Sequence, residues 1–363
     1  MSESPDIKFA IVGAGVIGAW HAKVLGEIGG AELACVVDIN HDAAASIATK
    51  YGTVAYCDFD SALAGPTKFD AVAVCVPSGL HASIAVRALE AGKHVVVEKP
   101  IDISLDAADR IIAAQRASGK LATVIHQHRF DHATRVMLDA IANRHLGRLT
   151  SGLVTGAWWR SQSYYDSSDW RGTWALDGGG ALMNQGIHTI DLLVAALGRP
   201  VEVFAYTGCL AHERIEVEDT AVAAIRFENG ALGTIQGTTA AFPGVSTRLQ
   251  VHGDRGSIVI ENDELIYIHT TGSERAESFT GATTQDNQLA QYVSTDTPAA
   301  KTAASDPRQL SDAHRYQYEN FLAALAGRAE LPVSLEEARL ALALTLSTYE
   351  SARTGRPVTV SSS

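Results

Sequence analysis

A glycine-rich turn near the amino terminus constrains the fold of this chain more than any other feature. The segment Gly13-Ala14-Gly15-Val16-Ile17-Gly18 directly follows a short apolar run and opens a stretch of helical period. In this context the first glycine permits a tight turn, the second lets backbone approach a pyrophosphate, and the third lets the helix pack closely against the strand. The segment therefore predicts a dinucleotide-binding turn whose cofactor contacts come from Gly13, Gly15, Val16, Ile17 and Gly18.

Asp38 ends the second predicted strand, twenty positions after Gly18. An acidic side chain at this position can accept hydrogen bonds from the adenosine ribose, and it would repel the extra phosphate of NADP. The next four residues contain no Arg or Lys that could compensate for this repulsion. We therefore expect NAD, with NADP disfavoured, although a capping role for Asp38 in a turn remains an alternative.

The first 125 residues alternate short β-branched runs with amphipathic stretches, which is the pattern of a parallel sheet covered by helices. The predicted strands are Ile7–Val12, Glu32–Asp38, Ala71–Val76, His94–Glu98 and Leu121–Val124. The predicted crossover helices are Val16–Ile28, Gly79–Ala91 and Leu105–Ser118. We therefore expect an α/β fold whose first domain, residues 1–125, is a Rossmann domain that binds NAD(P).

From about residue 126 the pattern changes to strand-like runs separated by turn residues. The predicted strands are Val201–Leu210, Ala221–Glu228, Ala231–Thr239, Thr247–Gly253 and Ser257–Glu261. Asn229-Gly230, which separates two of these runs, is a strong hairpin signal. A glycine-rich segment precedes a helix predicted near 181–197. Residues 126–363 are therefore expected to form an α+β domain with an open, mostly antiparallel sheet.

Two features mark the carboxyl-terminal third. Residues 270–306 are rich in Thr, Ala, Ser and Gln and show little periodicity, which predicts a long loop. Ser334 and Glu337 have the spacing of a capping box, so a closing helix is predicted over about 334–354. We expect this helix to pack back on the first domain.

The composition restricts the partners and the compartment. The 29 basic and 41 acidic side chains give a net charge of −12, which disfavours nucleic acid as a partner. No apolar run approaches the length of a membrane span, and the polar amino terminus is unlike a secretory signal. The four cysteines lack metal-ligand spacing, so we expect reduced thiols in a cytoplasmic protein that needs no membrane.

Other candidate cofactor contacts follow the predicted strands, because ligands of open α/β sheets lie at the carboxyl ends of the strands. Pro77 and His81 follow one strand, and Glu98 and Lys99 follow the next. His81 is expected to contact the cofactor or to be a solvated residue at a helix start. Lys99 is the stronger candidate, because an ammonium group there can hold a substrate hydroxyl and stabilise developing alkoxide charge.

Several ordered motifs resemble the Gfo/Idh/MocA family, named for glucose–fructose oxidoreductase, inositol dehydrogenase and a rhizopine-catabolism protein. The motifs are the glycine turn, Glu98-Lys99-Pro100, His128-Arg129-Phe130, Asp177-Gly178-Gly179-Gly180, Gly186-Ile187-His188-Thr189-Ile190-Asp191, Glu218-Asp219-Thr220 and Gly355-Arg356-Pro357-Val358. The resemblance covers nearly the whole chain. It implies a Rossmann domain followed by an α/β domain that binds substrate and whose open sheet often forms dimers or tetramers.

The resemblance also implies the catalytic residues. Lys99 matches the lysine of the family's Glu-Lys-Pro motif, and His188 matches the histidine of the second motif. Many members carry an Asp four residues before this histidine, but this chain has Asn184, which can hydrogen-bond but cannot accept a proton. We assign His188 as general base and Lys99 as the cation that holds the oxygen, and these two roles can be exchanged. Asp191 is expected either to orient His188 or to be a helix-surface carboxylate.

An aromatic segment predicts the sugar-binding surface. Residues 158–174 hold four of the five tryptophans, and flat aromatic faces cover the C–H faces of sugar rings. The candidate substrate contacts, together with Lys99, Asn184 and His188, are Arg129, Trp158, Arg160, Tyr164, Trp170, Arg171 and Trp174. A core edge or an oligomer interface is the alternative for this segment. Gln127 is assigned to the cofactor or to contacts between domains, and no metal is expected.

These features predict an NAD-dependent dehydrogenase that oxidises a secondary hydroxyl of a monosaccharide, sugar derivative or cyclitol. The expected assembly is a homodimer or homotetramer. One alternative is an oxidoreductase that retains its cofactor and passes hydride between two sugars. Another is a non-catalytic NAD(P)-binding sensor, which the presence of both Lys99 and His188 disfavours.

Overall fold

A computed structural model of the chain describes residues 6–271, 287–292 and 312–361. These residues form two compact units. The first unit contains residues 6–127, 175–178 and 312–339, and the second contains 128–174, 179–271, 287–292 and 340–361.

The first unit contains a six-stranded parallel sheet flanked by helices. In chain order its elements are β1 Ile7–Val12, α1 Val16–Glu27, β2 Ala31–Val37, α2 His41–Tyr51, β3 Val54–Tyr56, α3 Phe59–Ala64, β4 Ala71–Val74, α4 His81–Glu90, β5 His94–Val97, α5 Leu105–Ser118 and β6 Ala122–Val124. The strand order is β3-β2-β1-β4-β5-β6, the order of a dinucleotide-binding Rossmann sheet. The carboxyl ends of β1 and β4 lie side by side where this order reverses, so residues that follow them share one edge of the sheet.

The apolar side chains of these strands form the hydrophobic core of the first unit. Phe9, Ile11, Val36 and Ala73 are buried in one hydrophobic cluster, as expected for strands that helices cover on both faces. A later helix, α9 Ala313–Leu325, also belongs to the unit, and its Tyr318 packs edge-on against Phe9 with ring centroids 5.6 Å apart.

The closing helix, α10 Leu335–Thr354, begins with the predicted capping box. The Ser334 Oγ accepts a hydrogen bond from the Glu337 backbone N–H at 3.1 Å, and the Glu337 carboxylate accepts one from the Ser334 backbone N–H at 3.0 Å. This reciprocal pair satisfies two backbone donors at the helix start. The first residues of α10 belong to the first unit, where Arg339 pairs with Asp109, and the remaining residues belong to the second unit.

The second unit contains a mixed sheet of eight strands. Its elements are α6 His132–Ala142, β7 Leu149–Ala157, α7 Gln162–Tyr165, α8 Ile187–Leu197, β8 Pro200–Gly208, β9 Thr220–Phe227, β10 Leu232–Thr238, β11 Thr247–Gly253, β12 Gly256–Glu261, β13 Glu264–Thr270 and β14 Val358–Thr359. The order is β13-β12-β11-β7-β10-β9-β8-β14, and only the β7–β10 pair is parallel among the described strands. Buried and exposed residues alternate along β9 and β10, so one face of the sheet is buried and the other is open.

These sheets confirm the predicted fold class. The hairpin predicted at Asn229-Gly230 is also confirmed, because β9 and β10 pair antiparallel on either side of it. Most of the long loop predicted over 270–306 lies outside the described residues; within it, residues 289–291 form one short helical turn. No described helix has both the length and the apolar character that a membrane span requires.

Candidate functional site

The glycine turn of the first unit has the geometry that its sequence predicts. Gly13 adopts a φ of +106°, and a side chain there would collide with the carbonyl of Cys75 at the end of β4. A side chain at Gly18 would collide with the Gly13 carbonyl, so close packing of α1 on β1 requires glycine there. At Gly15 a Cβ would meet no atom within 4 Å, and the backbone is thus approachable from outside. These positions fit a pyrophosphate at the start of α1.

Asp38 supports the turn from the end of β2. One carboxylate oxygen accepts a hydrogen bond from the Ala14 backbone N–H at 2.6 Å, and the other accepts one from the Asn40 N–H at 2.8 Å. The side chain therefore caps a turn, which is the alternative weighed from the sequence, and lies beside the glycine loop. Its contact with a ribose stays a prediction. Each carboxylate oxygen has a second lone pair, which leaves Asp38 able to accept from a ribose hydroxyl.

Glu98 holds the backbone of Lys99 at the end of β5. Its carboxylate accepts a hydrogen bond from the Lys99 backbone N–H at 3.1 Å and bonds to the Nε2 of His21 at 2.8 Å. His21 in turn bonds to the hydroxyl of Tyr318 at 2.6 Å. Burial opposes ionisation of Glu98, but hydrogen bonds from His21 and His314 outweigh burial and hold the pKa of Glu98 well below its usual value. Glu98, predicted as a cofactor contact, thus lies in a buried network that fixes the position of Lys99.

His81 and Pro77 lie in the loop that follows β4. His81 is buried, so the predicted solvated alternative is wrong. Its Nδ1 lies 2.8 Å from the Pro100 carbonyl and its Nε2 lies 3.0 Å from the Val76 carbonyl, and burial lowers its pKa. The imidazole therefore ties the loop after β4 to the loop after β5. Pro77 precedes a short helical turn whose Leu80 N–H bonds to the Pro77 carbonyl.

Gln127 follows β6 and is buried, with its Oε1 lacking a hydrogen-bond partner among the described residues. A buried amide oxygen without a partner is unfavourable unless a ligand or water supplies a donor. This atom suits the predicted contact with a cofactor, since the carboxamide of a nicotinamide is such a donor.

In the second unit, Glu218 holds the glycine-rich segment before α8. Its carboxylate accepts hydrogen bonds from the Gly180 N–H at 2.9 Å, the Leu182 N–H at 2.9 Å and the Tyr349 hydroxyl at 3.0 Å. The Tyr349 oxygen also accepts from the Met183 N–H at 3.1 Å. Burial raises the pKa of Glu218 to about 7. A remote carboxylate and a tyrosine from α10 therefore fix the backbone that leads to Asn184.

This segment forms a π-type turn over Ala181–Gly186, after which α8 continues as an α-helix. The helix predicted near 181–197 therefore begins with a wider turn that contains Asn184, and His188 lies in the α-helix that follows. Such turns re-aim side chains and are frequent at functional sites. The Asn184 Oδ1 accepts a hydrogen bond from the Gln185 amide at 3.2 Å.

His188 lies beside a second histidine held by two carboxylates. The ring of His128 is edge-to-face with the ring of His188, with centroids 5.0 Å apart. The Nδ1 of His128 lies 2.7 Å from an Asp131 oxygen and 3.1 Å from an Asp263 oxygen. Burial alone would lower the pKa of His128, but Asp263 and Asp131 outweigh burial and hold it well above its usual value. The two carboxylates thus favour the protonated form of the imidazole that packs against His188.

Arg129 and Asp191 form a buried bidentate ion pair. The Nε and Nη2 of Arg129 each donate to a different Asp191 oxygen at 2.7 Å. This pair joins the segment after β6 to the first turns of α8. A role for Asp191 in orienting His188 and a role for Arg129 toward substrate both stay predictions.

Four of the predicted substrate residues come together in one cluster of the second unit. The guanidinium carbons of Arg160 and Arg171 lie 5.1 Å and 4.3 Å from the ring centroid of Tyr164. Arg171 also donates to the Tyr164 hydroxyl at 2.6 Å and lies 4.7 Å from the Trp170 ring. Arg160 donates to the Gln185 amide oxygen at 2.7 Å, and Gln185 donates to Asn184. Hydrogen bonds therefore link this cluster to Asn184.

Trp158 and Trp174 lie apart from the cluster. The indole of Trp158 is buried and covers Gly156 of β7, where a Cβ would collide with its ring. This contact makes Trp158 part of the sheet packing. Trp174 is exposed and packs edge-on against Tyr349 with ring centroids 5.3 Å apart.

Comparison with known proteins assigns both halves of the chain to one family. Residues 7–126 match the model described as an oxidoreductase family with an NAD-binding Rossmann fold, and residues 134–259 match the C-terminal domain model of the same family. The chain belongs to the Gfo/Idh/MocA family.

Named relatives extend the match over the whole chain. The chain is 29% identical over 261 residues to myo-inositol 2-dehydrogenase of Thermotoga maritima, covering 70% of this chain and 75% of that protein. It is 26% identical to inositol 2-dehydrogenase of Rhizobium meliloti over 98% of this chain and 99% of that one. The structure of the WlbA dehydrogenase from Bordetella pertussis in complex with NADH and UDP-GlcNAcA is 30% identical, with a TM-score of 0.82 over 98% of this chain and 99% of that chain.

Membership of the Gfo/Idh/MocA family confirms the predicted family, its oxidoreductase class and NAD as cofactor. The names of the relatives, which are sugar and cyclitol dehydrogenases, agree with the predicted function. The individual site residues, which no comparison tests, stay predictions.

Sequence reasoning missed several residues that hold this family's motifs in place here. Glu218 enters the sequence prediction only as part of the Glu218-Asp219-Thr220 motif, and Tyr349, His21, Gln185, Asp131 and Asp263 do not enter it. Glu218, Tyr349, His21 and Asp263 are distant in sequence from the residues that they support, and no local pattern marks them. Asp131 and Gln185 lie close in sequence to His128 and Asn184, but their side-chain contacts depend on the local backbone conformation.

Proposed function

We propose that this chain oxidises a secondary hydroxyl of a monosaccharide, sugar derivative or cyclitol, with Lys99 and His188 as its catalytic residues. The observation that carries the proposal is that a member of this family keeps both Lys99, in its Glu-Lys-Pro motif, and His188, at the start of α8. Relatives named as inositol dehydrogenases, and a similar structure that holds a nucleotide sugar, support this substrate class.

The chain's own groups divide the proton chemistry. His188 takes the hydroxyl proton as general base, while the ammonium of Lys99 holds the oxygen and stabilises the negative charge that develops on it. NAD, when bound, supplies the hydride acceptor. Asn184 replaces the acidic residue of many relatives and contributes hydrogen bonds only, so proton removal falls to His188 and charge stabilisation to Lys99. His128 packs against His188 and restricts the orientation of its ring.

The fit of NAD rests on the first unit. The glycine turn accepts backbone approach at Gly15, Asp38 lies beside it, and the Gln127 oxygen lacks a partner. We propose residues 1–125 as the NAD-binding domain and residues 126–363 as the domain for substrate binding and oligomerisation. We also propose a cytoplasmic location, which agrees with four cysteines that are free thiols.

The experiment measures NADH absorbance while the purified protein is offered inositols, aldoses, anhydrosugars and nucleotide sugars, each with NAD and with NADP. Lys99→Met and His188→Ala are compared with wild type, and NAD binding is measured separately by calorimetry. We expect activity with at least one sugar or cyclitol, higher catalytic efficiency with NAD than with NADP, and a loss of about 100-fold or more in turnover for each variant with NAD binding retained.

Three results would contradict the proposal. Near-normal turnover in either variant would remove that residue from the catalytic pair. Bound NAD without absorbance change for any substrate would favour a sensor, and NADH that stays bound through dialysis would favour hydride exchange between two sugars.

A further inference from the structure

The cluster around Tyr164 contains two guanidinium groups whose charges are not balanced. Arg160 is 8% exposed, and its hydrogen bonds go to the Trp159 carbonyl at 3.1 Å and the Gln185 amide at 2.7 Å, both neutral acceptors. Arg171 bonds to the Tyr164 hydroxyl, which is also neutral. Among the described residues, no carboxylate lies within ion-pair distance of either guanidinium.

The two cations also have donors that remain unused. The Nε of Arg160 and the Nε of Arg171 are both buried and lack hydrogen-bond partners among the described residues. A guanidinium only donates, so these atoms need an acceptor. Burying a charge without a counter-ion is costly, and leaving its donors unpaired adds to that cost.

The surrounding rings do not remove this cost. Both guanidinium groups lie near the Tyr164 ring, and Arg171 also lies near Trp170, which provides cation–π attraction. That attraction is weaker than a paired carboxylate, and two like charges near one ring also repel each other. By contrast, Arg214 in the same unit pairs with Asp166 at 2.8 Å.

We infer that Arg160 and Arg171 form a receptor for an oxyanion of the substrate, so that the substrate class is an anionic sugar rather than a neutral one. The oxyanion is the carboxylate of a uronate or the diphosphate of a nucleotide sugar, both of which match guanidinium donors. The chain has a net charge of −12, so two unbalanced cations in one place are a selective attraction for such a group.

The position of the cluster connects it to the proposed chemistry. Arg160 donates to Gln185, and Gln185 donates to Asn184, the position at which many family members carry an acid. An acid at that position would oppose an anionic ligand nearby, whereas the asparagine does not. This inference rests on the proposed function for the identity of the sugar, but the anion site itself does not depend on catalysis.

The test measures binding to the NADH-loaded protein by calorimetry. The probes are D-glucuronate for the carboxylate, UDP-glucose for the diphosphate and D-glucose as the neutral reference. We expect at least one anionic probe to bind tenfold or more tightly than D-glucose, with an affinity that falls as salt rises. The two anionic arms distinguish a carboxylate site from a diphosphate site.

The variants are Arg160→Met with Arg171→Met, and Arg171→Met alone because it is less buried and threatens folding less. We expect the double variant to lose about 10- to 100-fold in affinity for the preferred anion without change for D-glucose. Arg353→Met is the matched control, since Arg353 is an exposed arginine of the same unit paired with Glu350, and it should keep the preference. NADH binding and circular dichroism report whether each variant is folded.

Equal affinity of wild type for D-glucose and both anions would overturn the inference, as would an anion preference that survives both single and double replacement. These outcomes are separable from failure of the proposed function. Oxidation of a neutral sugar alone, without anion binding, would support the proposed dehydrogenase function and contradict the oxyanion receptor. Anion binding that depends on both arginines, without hydride transfer to NAD from any sugar, would support the oxyanion receptor and contradict the proposed dehydrogenase function.

Discussion

At the scale of single residues, Glu218 makes the stability of the chain depend on pH. Burial raises its pKa to about 7 from a usual value of 4.5, so the folded state binds the proton more tightly than the unfolded state does. The stabilisation is complete below about pH 4.5 and is lost as the pH rises to about 7. We expect Glu218→Gln to remove this dependence, so that the stability of wild type relative to the variant falls by up to about 3 kcal/mol between pH 4.5 and 8.

The measurement is urea unfolding of both proteins at several pH values, because other titrating groups then cancel in the difference. Glu202→Gln is the matched control: Glu202 is exposed on β8 beside Arg226, and its replacement should give a difference that changes little over the same range. A difference between wild type and Glu218→Gln that is constant with pH would show that Glu218 titrates in its ordinary range.

At the scale of elements, the π-type turn before α8 depends on a glycine that faces the segment leading into β9. A Cβ at Gly180 would collide with the Glu218 carbonyl and would lie 2.9 Å from the Val217 side chain. Gly180→Ala therefore has to displace the turn that contains Asn184 and leads into the helix that contains His188. Because small displacements of catalytic groups are costly, we expect kcat to fall roughly 10- to 100-fold, with NAD binding unchanged.

Steady-state kinetics on the substrate found in the sugar panel measure this effect, and calorimetry measures NAD binding. Gly29→Ala is the control, because a Cβ at Gly29 would meet nothing within 4 Å. Its kcat should remain within about twofold of wild type. Unchanged turnover in Gly180→Ala would mean that the turn tolerates the methyl group and does not position the site.

The elements that the sequence predicts well are those whose stability is local or wholly apolar. β1 and α5 have their predicted bounds, because a short, mostly apolar run that leads into a glycine turn and a complete amphipathic period are clear signals. β7 was missed, although it lies in the middle of its sheet. It contains Gly152 and Gly156, which weaken any strand pattern but leave room for Leu193 and for the Trp158 ring. Only the packing partners explain why these residues form a strand.

The features of the candidate site also divide into those that the sequence predicts and those that it does not. The glycine turn and Asp38 could be predicted because a local backbone requirement fixes each residue type. The π-type turn could not, because the sequence 181–186 reads as an ordinary helix and the carboxylate that holds it, Glu218, lies more than thirty residues away. The histidine pair was missed for a similar reason, since Asp263 reaches His128 from the β12–β13 turn.

At the scale of the whole molecule, the open face of the eight-stranded sheet is more apolar than a solvated surface needs to be. Tyr206 of β8 and Val222 of β9 are direct cross-strand partners and therefore share one face, and Leu232 of β10 lies on that face opposite Arg226. Their exposed fractions are 66%, 41% and 55%. Such a surface, apolar with charged residues at its margin, is typical of an interface between copies.

We therefore expect the wild-type protein to sediment as a dimer or tetramer of its 38.4 kDa chain, and Val222→Glu combined with Leu232→Glu to sediment as the monomer. In a symmetric interface each copy would bury its two new carboxylates against the two new carboxylates of the partner copy. We expect the repulsion between these like charges to weaken association by roughly 100-fold or more. Analytical ultracentrifugation at micromolar concentration measures the mass of the assembly, and circular dichroism establishes that each variant is folded.

Val54→Glu is the control. Val54 is exposed on β3 in the first unit, so the variant adds the same kind of charge away from this face and should leave the assembly intact. A monomeric wild type, or a double variant with unchanged mass, would mean that this face meets solvent, and its apolar residues would then need another explanation.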